Sequence, residues 1–550
     1  MTPFKKLLQQ VSNRPFHPIA LALYPVLFLY SQNTDQTPLG TVTGPLLLAL
    51  LAVPLLWVGP YLLCKRDLFK SSLWASLLTV LFFVYGHIHS ALHLFALNTG
   101  IHFGGAQHAE LLLKAKLHAG LIVLLALALI LLWRKVRHVP ATSFEKLSGI
   151  VNTMSAILLL MPVMGIAMSL LSPDTPEAEG HTKASAQLAE SGLVKTLGYQ
   201  PDIYHIVLDG YAREDVLNEF YNYDNSPFLN ALKAQGFTVV PQARSNYTWT
   251  FLSFASFLNM DYVNDTFKHL GPEDRTRSQA YLMARDNKVM HFLRDQGYRY
   301  VHLKSAWGAT MMNMFADEEI PCTDSLFNVE FYRVLMESTF LKIWESPVGV
   351  SVADCHLTNL KTLEQLGSAP GPKVVVTHFV PPHHPYLFDR EGTILRNATV
   401  SNQFEFQKRL WGVKPKYIDQ LVYFNKRMET IVDQLVATSP NPPIIIIHSD
   451  HGPQLLDDDS DHFLHGRFSN LIAMQLPGVQ PGEIPEDLTL VNMYRKVFNL
   501  YFDSGFEMLQ NRYYQSAYYQ PYDFEEILFD AESPRGRSLE PQSTTTQSTQ

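Results

Sequence analysis

Apolar residues crowd the front of this chain. Before residue 172 they form five runs, roughly Pro15 to Tyr30, Val42 to Leu63, Ser72 to Leu97, Leu117 to Trp133 and Ile150 to Leu171. A helix needs about 20 apolar residues to cross a bilayer core, so the first and fourth runs lie near the short limit. No small-residue cleavage site follows the first run and further runs come after it, which excludes a cleaved signal. Residues 1–172 therefore read as a transmembrane domain of five spans. Positive charge orients it. Lys5, Lys6 and Arg14 precede the first span, Lys65, Arg66 and Lys70 lie between the second and third, and Arg134, Lys135, Arg137 and Lys146 lie between the fourth and fifth. The first loop, 31–41, has no Lys or Arg, so the N-terminus is expected in the cytoplasm and everything after Leu171 outside.

Residues 173–200 read as a linker, opened by Pro173 and Pro176 and followed by a mixed polar stretch. Residues 201–530 read as one catalytic domain and 531–550, rich in Ser, Thr and Gln, as a disordered tail. Net charge is -8 with no basic patch, which argues against nucleic acid as a partner. Of three cysteines, Cys64 ends a span; Cys322 and Cys355 either pair in an oxidising compartment or stay as buried thiols.

In the second part, β runs alternate with helical stretches, the pattern of a layered α/β sheet. Strands are expected to end at Asp209, near Val240, near Leu303, at His378, at Ser449 and near Gln475, with helices over Ser226 to Gln235, Gln279 to Gln296 and Tyr417 to Thr438. Two ends stand out. Ile444-Ile445-Ile446-Ile447-His448-Ser449 reads as a strand buried on both faces and runs into Asp450-His451-Gly452. Ile203-Tyr204-His205-Ile206-Val207-Leu208 runs into Asp209-Gly210. Carboxylates and an imidazole at the carboxyl ends of buried strands sit where open α/β sheets bind ligands, and they suit a divalent metal.

These residues resemble the alkaline phosphatase superfamily in its membrane-anchored, sulfatase-like branch, with the lipoteichoic acid synthases, phosphoglycerol transferases and phosphoethanolamine transferases. The resemblance implies an extracytoplasmic alkaline-phosphatase-like domain with a central mixed sheet. It also implies a site of Asp209, Thr250, Asp450 and His451 around one Zn²⁺ or Mn²⁺. Thr250, in Thr250-Phe251-Leu252-Ser253, matches the metal-bound nucleophile, with Thr248 as the other candidate. His383, in the cluster His378-Phe379-Val380-Pro381-Pro382-His383-His384, and His465, in His465-Gly466-Arg467, match residues holding the phosphoryl group or a second metal. His384 is a substitute for His383, and His378 matches a further histidine. Arg467 is either a phosphate partner or a structural ion pair, and Asp457, Asp458, Asp459 and Asp461 form a solvated loop.

The departures also matter. The first metal ligand is Asp209 where many of these transferases carry Glu. The sulfatase signature of Cys or Ser followed by x-Pro-x-Arg is missing around Thr250, and so are the cysteines that phosphoethanolamine transferases carry near the nucleophile. The expected activity is transfer of a phosphoglycerol or phosphoethanolamine head group from a membrane phospholipid donor to an envelope glycan or glycolipid acceptor, through phospho-Thr250. The expected place is the cell inner (plasma) membrane. The alternatives are a metal-dependent phosphodiesterase or sulfatase-like hydrolase and a catalytically inactive membrane scaffold. His87, His89 and His93 lie in the outer half of the third span, His102 and His108 in the outside loop, and His118 opens the fourth span; they either meet a lipid phosphate or are interfacial histidines wetted by headgroups. Asn246, Asn264 and Asn397 lie in Asn-x-Ser/Thr sequons, the first too close to Thr250 to carry a glycan.

Overall fold

The computed structural model of the protein describes residues 14–34, 37, 39–98, 108–171, 192–305, 308–322, 330–344, 346–395, 413–455, 460–480, 482–530 and 533–538. The expected linker up to residue 191, the tail from 539, His102, Asn397 and Asp457 to Asp459 lie outside them. The chain forms two compact units, one of Met1–Glu179 with Leu326–Val348, the other of Gly180–Ser325 with Gly349–Gln550.

The first unit holds helices α1 (His17–Ser31), α2 (Leu39–Leu63), α3 (Leu68–Asn98), α4 (His108–Val136) and α5 (Ala141–Leu171). Four of them are long and apolar enough to cross a membrane. The first run makes a shorter apolar helix of 15 residues, so the expectation of five spans holds at that length for four. The start of α1 is set by a tertiary cap. Asn152 Oδ1 accepts the backbone N–H groups of Phe16 and His17, each at 3.1 Å. The buried His17 ring bonds the hydroxyls of Ser76 and Ser148. A segment far along the chain joins this unit. Helix Glu330–Ser338 buries Phe331 beside Ala22, Val26, Tyr30 and Val42. Tyr332 donates its hydroxyl to Thr41 O at 3.0 Å. Gly86 of α3 permits this approach, since a Cβ there would lie 2.0 Å from Glu337 O.

The second unit is built on a seven-stranded sheet of order β2-β7-β6-β1-β5-β3-β4. The strands are β1 (Ile203–Leu208), β2 (Phe237–Val239), β3 (Arg299–Leu303), β4 (Glu318–Ile320), β5 (Lys373–Phe379), β6 (Ile444–His448) and β7 (Ile472–Gln475). β1 pairs in parallel with β5 and β6, while β7 runs antiparallel to both β6 and β2, so the sheet is mixed. The β-branched runs are covered on both faces. Ile203, Val207, Ile444 and Ile446 join one cluster; Tyr204, Ile206, Ile445 and Ile447 join the other. The strand ends fall close to their expected positions. Expected helix 279–296 is broken into Ser278–Arg285 and Lys288–Asp295, because Asn287 turns to cap the second piece by accepting Met290 N–H at 2.8 Å. A small antiparallel sheet of β8 (Tyr513–Ala517), β9 (Gln520–Leu528) and β10 (Arg537–Ser538) was not expected. Cys322 and Cys355 form a disulfide.

Candidate active site

Three chain segments converge at the carboxyl end of the central strands. β1 delivers Asp209, and Gly210 then turns the chain at φ 67°, in the left-handed region open to glycine. Gly210 N–H donates to Asp450 Oδ1 at 3.3 Å, tying the end of β1 to the end of β6. β6 delivers Asp450 and His451. Gly452 is required behind them, because a Cβ there would sit 2.0 Å from Gly466 O. That contact seats α8 (Ser460–Phe468) against the turn, with Gly452 N–H donating to Arg467 O at 2.8 Å. The third segment is α6 (Thr250–Phe257), whose first residue is Thr250.

Asp209, Asp450 and His451 each offer one ligand atom, all within 4.8 Å of one another, and all three residues are buried. His451 Nδ1 lies 3.0 Å from Gly452 O, so it carries the proton there and Nε2 presents its lone pair to the carboxylates. Thr250 Oγ1 lies 3.1 Å from that Nε2. Among the described residues Asp209 Oδ1 and Asp450 Oδ2 are buried with no hydrogen-bond partner. Burial, then the neighbouring charge of Asp209, pushes the Asp450 carboxyl up to about 7. Burial likewise raises Asp209, against the pull of His383 and Arg467. Burial, Arg467 and His383 hold His451 well below the usual imidazole range. Two orphaned, mutually repelling carboxylates beside a neutral imidazole fit a divalent cation, which would remove the cost of all three.

His378, at the end of β5, points Nε2 to within 3.5 Å of Asp209 Oδ2, and Thr310 Oγ1 lies 2.7 Å from its Nδ1. His383 is half-buried, donates its backbone N–H to Asp209 O at 3.0 Å and packs its ring 4.0 Å from that of His384. His465 faces another way. Its Nε2 lies 3.0 Å from Asp215 Oδ2, and Asp215 in turn accepts both Arg213 Nε and Nη2 at 2.7 Å. Arg467, from the same helix, occupies the site instead. It places Nη2 3.2 Å from His451 Nε2 and donates Nη1–H to Gly452 O at 2.9 Å. Burial lowers its pKa to about 10, which leaves it a cation. Thr248, the second nucleophile candidate, is buried, and its hydroxyl has no hydrogen-bond partner among the described residues. Asn246 uses its amide structurally, accepting from Val491 N–H and donating to Arg512 O.

Sequence reasoning overlooked Gln420 in α7 (Lys414–Thr438). Its amide accepts Leu387 N–H at 2.7 Å and donates to His383 O at 2.9 Å, which clamps the histidine loop. It also overlooked Thr310 and Asp215. None of these carries a local motif; each is placed by packing alone.

A sulfatase family model matches residues 201–478, just over half of the 550-residue chain. No curated protein matches it in sequence. Among solved structures, the C-terminal periplasmic domain of EcEptC from Escherichia coli is similar at 13% identity and TM-score 0.40, over 61% of this chain and 94% of that one. The soluble domain of lipooligosaccharide phosphoethanolamine transferase A from Neisseria meningitidis is similar at 14% identity and TM-score 0.32, over 55% and 88%. The putative sulfatase yidJ from Bacteroides fragilis is similar at 12% identity and TM-score 0.38, over 60% and 83%. The match over the whole run from β1 to β7 carries the conclusion that this chain belongs to the sulfatase family.

Proposed function

We propose that the protein is a metal-dependent transferase that moves a phosphoglycerol or phosphoethanolamine head group from a membrane phospholipid to an envelope glycan or glycolipid. The observation that carries this reading is Thr250 Oγ1 at 3.1 Å from His451 Nε2, beside the orphaned carboxylates of Asp209 and Asp450, in a chain with four membrane-length helices. Thr250 Oγ attacks the phosphorus, the bond to the diacylglycerol oxygen breaks, and the head group stays on Thr250 as a phosphodiester. An acceptor hydroxyl then attacks that phosphorus and frees Thr250. A divalent ion held by Asp209, Asp450 and His451, Zn²⁺ or Mn²⁺ by this mix of oxygen and imidazole donors, would supply Lewis-acid charge stabilisation and lower the Thr250 pKa. Arg467 and the first N–H groups of α6 meet the phosphoryl oxygens, and His383 stands at the rim for the leaving or entering oxygen. Membrane helices suit this donor because diacylglycerol stays in the bilayer.

The positive-charge pattern supports a catalytic unit outside the cytoplasm on a protein of the inner (plasma) membrane, and the Cys322–Cys355 disulfide supports an oxidising compartment. The sulfatase match keeps a hydrolase as the second reading, with water as the acceptor. The test is the intact mass of the metal-loaded protein after incubation with phospholipid. A head-group adduct on the wild type and none on Thr250→Ala is the expected result, with transfer lowered by about 10³-fold or more in the variant. Full activity in Thr250→Ala overturns the nucleophile. Head group released without any acceptor favours the hydrolase.

A further inference from the structure

Thr250 is bracketed by aromatic and cationic side chains that the chemistry above does not use. Trp249, just before it, donates Nε1–H to Ser516 O at 2.9 Å and sets its ring edge-on to Tyr518 at 5.2 Å. The Arg277 guanidinium lies 4.4 Å from the Tyr518 ring centre and 4.8 Å from that of Phe251, just after the nucleophile. Arg467 lies 5.1 Å from the Trp249 ring and so joins this row to the site. Arg275 lies 5.6 Å from the ring of Tyr519, which is 50% exposed in the turn between β8 and β9.

Two arginines, Arg275 and Arg277, thus lie against aromatic rings in a chain of net charge -8. The two acids just before Arg275 in the chain hold other partners. Glu273 Oε1 accepts Gln520 Nε2–H at 2.9 Å, and Asp274 Oδ1 accepts Thr276 N–H and its hydroxyl at 2.7 Å. Among the described residues neither Arg275 nor Arg277 pairs with a carboxylate. Core packing accounts for Phe251 and for part of Arg277. It does not account for an exposed arginine on a half-exposed tyrosine at a hairpin tip. Flat aromatic faces bind the C–H face of a sugar ring, and a guanidinium fork reads phosphate or carboxylate with two N–H groups.

We propose that Trp249, Tyr518 and Tyr519 with Arg275 and Arg277 form the acceptor subsite, and that it takes a sugar ring bearing a phosphate or carboxylate. This rests on the transferase reading and names the residues that would select its acceptor.

The test titrates the metal-loaded full chain with a hexose 6-phosphate, a neutral hexose and inorganic phosphate, read by calorimetry. The hexose phosphate is expected to bind about tenfold more tightly than either fragment, and Arg277→Gln and Tyr518→Ala are each expected to lower its affinity by about tenfold. Inorganic phosphate binding as tightly as the hexose phosphate, or an unchanged affinity in Arg277→Gln, overturns the subsite. Where Arg277→Gln fails to fold, the exposed pair Arg275→Gln/Tyr519→Ala serves instead, and no loss there overturns it equally. The Thr250 adduct on the wild type is read in parallel. An adduct with no effect of these substitutions sinks the subsite and leaves the transferase. Binding as expected with no adduct from any phospholipid sinks the transferase, and the assignment as acceptor with it.

Discussion

The two ends of β1 each carry a buried aspartate, and they are treated in opposite ways. At the amino end, Asp202 Oδ2 holds Lys373 Nζ at 2.5 Å, and Oδ1 accepts Lys373 N–H at 3.0 Å. Lys373 Nζ also donates to Ala369 O, so the buried cation has both a counter-ion and a second acceptor. At the carboxyl end, Asp209 is as deeply buried but faces Asp450, a second carboxylate. One end of the strand closes its charges within the chain. The other leaves a concentrated negative charge that the fold neutralises only in part, through Arg467. Same residue type, same burial, same strand: the difference marks one end as structural and the other as built for an incoming cation.

The largest effect is expected from breaking the closed end. Asp202→Ala leaves Lys373 buried without its counter-ion, and denaturant unfolding is expected to show a loss of about 3–5 kcal/mol. The open end is expected to behave in the opposite sense. With metal chelated at pH 8, Asp450→Asn removes one of two repelling carboxylates, and its folded state gains up to about 4 kcal/mol from a carboxyl raised to about 7. Restoring Zn²⁺ or Mn²⁺ reverses the order, because the variant has lost a ligand. A metal-free Asp450→Asn less stable than the metal-free wild type breaks the comparison.

A smaller effect tests burial without a partner charge. Burial lowers the pKa of His302 to about 4 and of His356 to about 3, so both are neutral in the folded protein. The unfolded chain takes up their protons near pH 6.5, so stability is full above that value and falls as pH drops toward 4. At pH 5 the loss is about 2 kcal/mol per histidine. His356→Leu is expected to flatten the acid limb of the metal-free protein by one proton, measured as unfolding free energy against pH. An unchanged slope rules out the neutral buried ring.

Much of this architecture was legible in the chain because it rests on local repetition. The four long apolar helices, the strands ending at Asp209 and Asp450-His451, and α7 all follow from runs and periods that a sequence displays directly. The first apolar run was less secure, since its helix is short and its start is capped by Asn152 from α5, which no local pattern announces. The small β8–β9–β10 sheet went unseen because its strands mix Gln, Asp, Glu and Ser with the Tyr, Phe and Ile that they bury, which hides the apolar face.

The candidate site divides in the same way. Residue types at strand ends pointed to Asp209, Asp450 and His451, the family resemblance pointed to Thr250, and packing gathered them. The choice between His465 and Arg467 lay beyond the sequence. They are two residues apart on α8, which at 3.6 residues per turn puts them on nearly opposite faces, so the docking of that helix against Gly452 decides which one meets His451. Gln420 and Thr310 entered for the same reason. The order of polar and apolar residues along a chain specifies elements and the chemistry at their ends; which side chain faces a site depends on how elements far apart in sequence pack, and only the tertiary structure records that.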